Sequence, residues 1–149
     1  MEELGLDSDF PPPVSTLQPG TLVGEYRVET KLGNGGMATV YGATHPLIGK
    51  KAAIKVMSPL LSADAAAVAR FALEARAVNR IGHPNIVDVF SFGRLPDGRS
   101  YFVMEWLQGE TLFERLWKQH GPLPLTDVIN ILDQICDALE ATHENGIIH

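Results

Sequence analysis

The stretch from Leu32 to Lys55, reading LGNGGMATVYGATHPLIGKKAAIK, constrains the fold more than any other part of the chain. It sets a glycine cluster (Gly33, Gly35 and Gly36) between two runs with strand character. On one side Tyr26, Val28, Thr30 and Leu32 alternate at period two; on the other, residues 37–44 are rich in β-branched and aromatic side chains. Glycines between two such runs suit a hairpin. A third run, residues 52–57, is apolar apart from Lys55 and reads as a strand buried on both faces. These strands read as part of a small, mostly antiparallel sheet.

The rest of the chain continues the pattern. Ser62 can cap a helix running to about Ile81, with Val68, Phe71, Ala75 and Val78 forming one core-facing stripe. Gly82, His83 and Pro84 end it. Residues 86–93 and 100–106 read as two further strands around a turn at 95–99 that contains Asp97-Gly98. Residues 111–120 read as a short helix and 124–145 as a long one, with Pro124 in its first turn and Gly146 beyond its end. The expected class is α+β: a five-stranded antiparallel sheet with one helix, followed by the first helices of an α-rich region. Residues 1–20, with Pro11, Pro12, Pro13 and Pro19, read as a flexible tail.

Composition narrows the function. A chain of 149 residues that is 45% hydrophobic can bury one ordinary core. Its net charge of −6 argues against a general nucleic-acid or anionic-membrane surface. No apolar run approaches the ~18–20 residues that a membrane span needs, and the acidic, proline-bearing amino terminus is unlike a secretory signal. The single cysteine, Cys136, rules out an internal disulfide and fits a reducing, cytoplasmic setting; its apolar helical surroundings predict a buried structural thiol. The five histidines lack metal-ligand spacing, so no protein metal site is expected.

Glycine-rich segments can cradle phosphates, because missing side chains let backbone N–H groups approach an anion. Flanking structure separates the classes. A Walker loop needs GxxxxGK[ST], and none occurs. A dinucleotide fold needs GxGxxG opening a helix, whereas strand-forming residues follow here. The pattern GxGxxGxV between two strands is matched by Gly33, Gly35 and Val40, with Ala38 in place of the third glycine and Gly36 adding a flexible position. Taken alone, a glycine hairpin without a ligand remains open.

Further strings follow in order: AIK with Lys55, RFALEARAV with Glu74, HPNIV from His83 to Val87, YFVMEWLQGETL, and GIIH at the end. Together with the loop they resemble the eukaryotic-like (Hanks-type) serine/threonine protein kinases of bacteria over Tyr26 to His149. The resemblance implies a kinase amino-terminal lobe and hinge over 21–107 and a partial carboxy-terminal lobe over 108–149. It implies ATP and Mg²⁺ as cofactors and a protein bearing Ser or Thr hydroxyls as substrate. Lys55 would contact the α- and β-phosphates and Glu74 would hold that lysine by an ion pair. Gly33, Asn34, Gly35, Gly36, Met37 and Ala38 would cover the phosphates. Leu32, Val40 and Ala53 would line an adenine slot, Ala53 being small and two residues before the lysine on the same strand face. Met104 stands at the gatekeeper position, the Glu105 carbonyl and Leu107 N–H would meet the adenine edge, and Thr111 would reach the ribose.

In such kinases GIIH is followed by the catalytic aspartate, an asparagine and later DFG, which supply the base and the Mg²⁺ ligands. None lies in these 149 residues, so the expectation is a fragment without turnover. The alternative is a truncated pseudokinase that binds nucleotide or a partner. Asp127, Asp133 and Asp137 precede that loop on a helix and read as solvated-face residues. On the same helix Leu125, Val128, Ile129, Leu132, Ile135, Cys136 and Leu139 form a stripe that Ile131 and Ala138 widen. So wide an apolar face expects cover on more than one side.

Overall fold

The computed structural model describes residues 16–148. Its strands are β1 (Leu22–Val23), β2 (Tyr26–Asn34), β3 (Ala38–Thr44), β4 (Lys51–Met57), β5 (Val89–Arg94) and β6 (Ser100–Met104). Its helices are α1 (Pro59–Ser62), α2 (Ala65–Ile81), α3 (Leu112–Gln119) and α4 (Leu125–Glu144). The strands form one antiparallel sheet in the order β1-β2-β3-β4-β6-β5. The sheet therefore has six strands where five were expected. The extra one, β1, is two residues long and too short to carry a periodic signal. It is fixed instead by pairing across a tight turn, Val23 opposite Tyr26, which buries Val23 to 1% exposure.

Alternation along β4 divides the core. Ala52, Ile54 and Val56 enter one cluster with Val23, Tyr26, Val28, Tyr41, Leu95, Tyr101 and Val103. Met57 enters the other, where α2 lays Ala67, Phe71 and Ala75 against Val89 and Phe102. Burial on both faces is what the apolar run predicted. Of the expected tail, residues 1–15 lie outside the described ones; Leu17 packs on the first cluster, and its N–H donates to the Tyr41 hydroxyl.

Three boundaries and one burial differ from expectation. The helix assigned to a Ser62 cap is two helices: Ser58 caps α1, with Pro59 in its first turn, and Asp64 caps α2 by accepting from the Ala66 N–H. Asp64 outcompetes Ser62 because its carboxylate reaches the free N–H groups of a longer helix. The strand expected from Ile86 begins at Val89, since residues 84–86 turn to bring the chain off α2. The strand expected to run through Trp106 stops at Met104, and Glu105 adds one last bond, its N–H to the Asp88 carbonyl at 2.8 Å. Cys136, expected to be buried, is exposed.

That exposure has the same cause as that of its neighbours. Ile129, Leu132, Ile135 and Leu139 on α4 are 39–56% exposed, because the described residues cover that face only in part, Ile135 and Leu139 bordering a cavity. Asp127, on the polar side, pairs with Arg115 of α3 at 2.9 Å. The end of α2 follows a simple rule: Gly82 adopts a left-handed φ of 57° and returns its N–H to the Val78 carbonyl.

Candidate nucleotide site

The two charged residues singled out from the sequence meet. Lys55 of β4 and Glu74 of α2 form an ion pair, Nζ to Oε1 2.8 Å, with side-chain exposures of 28% and 54%. Lys55 faces α2 because it alternates with Ile54 and Val56, which point into the opposite cluster. Glu74 reaches the sheet because it lies one helical turn after Phe71, which is buried against it.

The register builds a tier of side chains around this pair. Val40 lies opposite Lys55, and Lys55 opposite Phe102. One tier along, Gly42 lies opposite Ala53, and Ala53 opposite Met104. Val40, Ala53, Lys55 and Met104 thus share the sheet face toward α2. Leu32, on the neighbouring strand, is 44% exposed.

The glycine segment is a closed turn joining β2 to β3. The Gly35 N–H donates to the Ala38 carbonyl at 2.9 Å, and the Thr39 hydroxyl donates to Asn34 Oδ1 at 2.7 Å. The Met37 carbonyl accepts from the Ser58 N–H, while its side chain is 73% exposed. Among the described residues the Gly36 and Met37 N–H groups have no acceptor. None of Gly33, Gly35 and Gly36 has positive φ. A Cβ on Gly33 or Gly36 would meet nothing within 4 Å, and one on Gly35 only ordinary contact. Neither backbone conformation nor protein packing therefore requires glycine here.

The hinge after β6 supplies a second pair of free groups. Among the described residues the Glu105 carbonyl and the Leu107 N–H have no hydrogen-bond partner. Thr111 caps α3: its hydroxyl accepts from the Glu114 N–H and donates to Glu114 Oε2, and its own N–H donates to that carboxylate at 2.7 Å. The bond from the Thr111 N–H, then that from its hydroxyl, holds the Glu114 carboxyl below its usual range.

A cavity of about 740 Å³ lies between α2, the 84–87 turn, the hinge and α4. Glu74, Glu105 and Leu107 border it, with Ile135 and Leu139 opposite. Leu32, Val40, Ala53 and Lys55 do not line it, and Ala53 is 3% exposed. The sheet tier and the cavity thus meet at Glu74 and the hinge rather than forming one open slot. No group of three His, Cys, Asp or Glu that could hold a metal occurs among the described residues.

The protein kinase domain profile matches residues 26–149, nearly the whole chain. This chain belongs to the protein kinase family. The kinases it is similar to include bacterial ones. The chain is 43% identical over 130 residues to serine/threonine-protein kinase Pkn1 of Myxococcus xanthus, covering 87% of this chain and 18% of that protein. It is 36% identical over 126 residues to serine/threonine-protein kinase PrkC of Bacillus subtilis, covering 85% of this chain and 19% of that protein. The kinase domain of Mycobacterium tuberculosis PknI superposes with a TM-score of 0.75 at 29% identity, over 90% of this chain and 53% of that one. The chain spans about a fifth of the length of these curated relatives. Its kinase fold holds the sheet lobe and the first helices of the second lobe.

Three features of the site escaped the sequence reading. Asn79 of α2 clamps β5, donating to the Val89 carbonyl at 2.6 Å and accepting from the Val89 N–H at 3.0 Å. Trp106 seats its ring on Gly42. Phe71 and Phe102 flank the Lys55 ammonium. Only the last had a signal: Phe71 lies one helical turn before Glu74 and so shares its face. Among the described residues no helix is long and apolar enough to cross a membrane.

Proposed function

We propose that this chain is the ATP-binding part of a serine/threonine protein kinase, whose whole protein moves the ATP γ-phosphate to Ser or Thr hydroxyls of a protein. The observation that carries this reading is the 2.8 Å pair of Lys55 and Glu74 beside a turn whose glycines the fold itself does not need. Room left by three glycines, with the Gly36 and Met37 N–H groups free, suits an anion. Asn34 and Ala38, at the ends of the turn, and Met37 within it set its shape. Lys55 supplies the positive charge for the α- and β-phosphates, and Glu74 orients it. Leu32, Val40 and Ala53 take the apolar face of the base, and Met104 bounds its depth. The free Glu105 carbonyl and Leu107 N–H, two residues apart, match the donor and acceptor of an adenine edge. Thr111 is the ribose contact in this reading, through a hydroxyl already engaged by Glu114.

Mg²⁺ screens the phosphates when it is bound. The residues that the kinase resemblance assigns to it, and the base that accepts the substrate proton, are not among these 149. The chain by itself therefore binds nucleotide and does not transfer phosphate. Comparing ATP with adenosine in the parent chain and in Lys55→Met tests the site. Charged hydrogen bonds contribute about 1.5–3 kcal/mol each, so Lys55→Met should weaken ATP about ten- to hundred-fold. Adenosine should bind as before. Equal ATP affinity in parent and variant would refute the phosphate role.

A further inference from the structure

Glu74 is not the only group that holds the Lys55 ammonium. Its Nζ lies 5.3 Å from the ring centroid of Phe102 and 5.7 Å from that of Phe71. Both distances fall within the ~6 Å over which a cation is attracted to a ring face. The rings pack on each other, centroids 4.7 Å apart and tilted by 32°. Phe71 is 7% exposed and Phe102 3%.

Two separate elements bring these rings to one ammonium. Phe102 is the register partner of Lys55 on β6, so the two side chains leave the sheet on the same face. Phe71 precedes Glu74 by three residues, so α2 delivers a ring and a carboxylate to the same point. The two kinds of contact differ in how water affects them. The Glu74 carboxylate is 54% exposed, and an ion pair that open is weakened by solvent and salt. The rings are buried, so their hold on the cation is less screened. A lysine has four flexible carbons, and fixing its head before a ligand arrives removes an ordering cost from binding.

We propose that Phe71 and Phe102 are positioning residues, forming an aromatic box that fixes the Lys55 ammonium where phosphates are bound. The inference rests on the nucleotide reading above and adds to it which residues prepare the lysine.

The test uses the 149-residue chain with ATP and adenosine as probes, measured by calorimetry. A trifluorinated phenylalanine at position 71 keeps the ring's shape but weakens its attraction for a cation. Phe102→Leu keeps an apolar side chain and removes the ring. Each should lower ATP affinity about three- to ten-fold, the range expected for one cation–ring contact, and leave adenosine unchanged. If Lys55→Met loses ATP affinity while both ring variants keep it, the rings are ordinary core and the inference fails. A parallel fall in ATP and adenosine affinity also overturns it, as the mark of a merely structural role. If the parent does not bind ATP, or Lys55→Met binds it as well as the parent, the nucleotide reading itself falls and takes this inference with it.

Discussion

Gly42→Ala should destabilise the protein, although two opposing effects act at this position. Gly42 is buried in β3 and its φ lies in the range open to any residue. On that ground alone alanine should stabilise by about 0.4–1 kcal/mol, by restricting the unfolded chain. A Cβ there would sit 2.8 Å from Trp106 Cη2 and 3.1 Å from Cζ2 and Cζ3. The obstacle is the broad end of a rigid ring rather than a flexible tip. Trp106 is tethered beside Glu105, whose N–H is bonded to Asp88, and the Lys51 ammonium lies 5.5 Å from the ring centroid. Overpacking of this kind costs about 1–3 kcal/mol, so at mid-range the clash wins by about 1 kcal/mol. For a chain this long that lowers the melting temperature by about 2–8 °C. Circular dichroism would measure it. Fluorescence in a Trp117→Phe background would report on the ring directly, because Trp106 and Trp117 are the two tryptophans. In a Trp106→Leu background the same Gly42→Ala change should lose its penalty. An equal or higher melting temperature with unchanged Trp106 emission would refute the reasoning.

Other outcomes follow from the same packing. Asn79→Ala removes the partner of both Val89 backbone groups, so each buried group left unpaired should cost about 1–3 kcal/mol in a denaturant melt. Asp97→Asn should act through pH. The side-chain bond from Arg99, which is 5% exposed, is the largest of the effects holding the Asp97 carboxyl below 3.8. A depressed folded value means that Asp97 stabilises above the ordinary carboxylate range and that this is lost as pH falls through the folded value. The melting temperatures of parent and variant should therefore differ most near neutrality and converge in acid; a gap that stays constant across a pH series would contradict the ion-pair account.

The elements most legible in the sequence were those whose burial pattern is local. Alternation in 26–32 and the apolar run 52–57 gave β2 and β4, and the Val68–Val78 stripe gave α2. The Lys55–Glu74 pair was legible through the family resemblance that the AIK and RFALEARAV strings carry. Boundaries were harder. Ser58, Ser62 and Asp64 are all capping residue types within seven positions, and only the competition among their backbone groups decides which of them cap. Cys136 was misread because an apolar stripe states a need for cover, not its presence.

By itself the sequence determined that three strands, a helix and two more strands precede the last two helices, that a glycine turn lies one strand before a lysine, and that Glu74 lies one helical turn from Phe71. These follow from periodicities of two and 3.6, which a single segment carries within itself. Only tertiary structure decided what meets across elements: β6 inserted between β4 and β5, Phe102 opposite Lys55, Trp106 on Gly42, and Asn79 on Val89. Such contacts depend on strand order and register. A slip of one residue in register turns every side chain to the other face, and no local pattern in the chain can specify its partner's register.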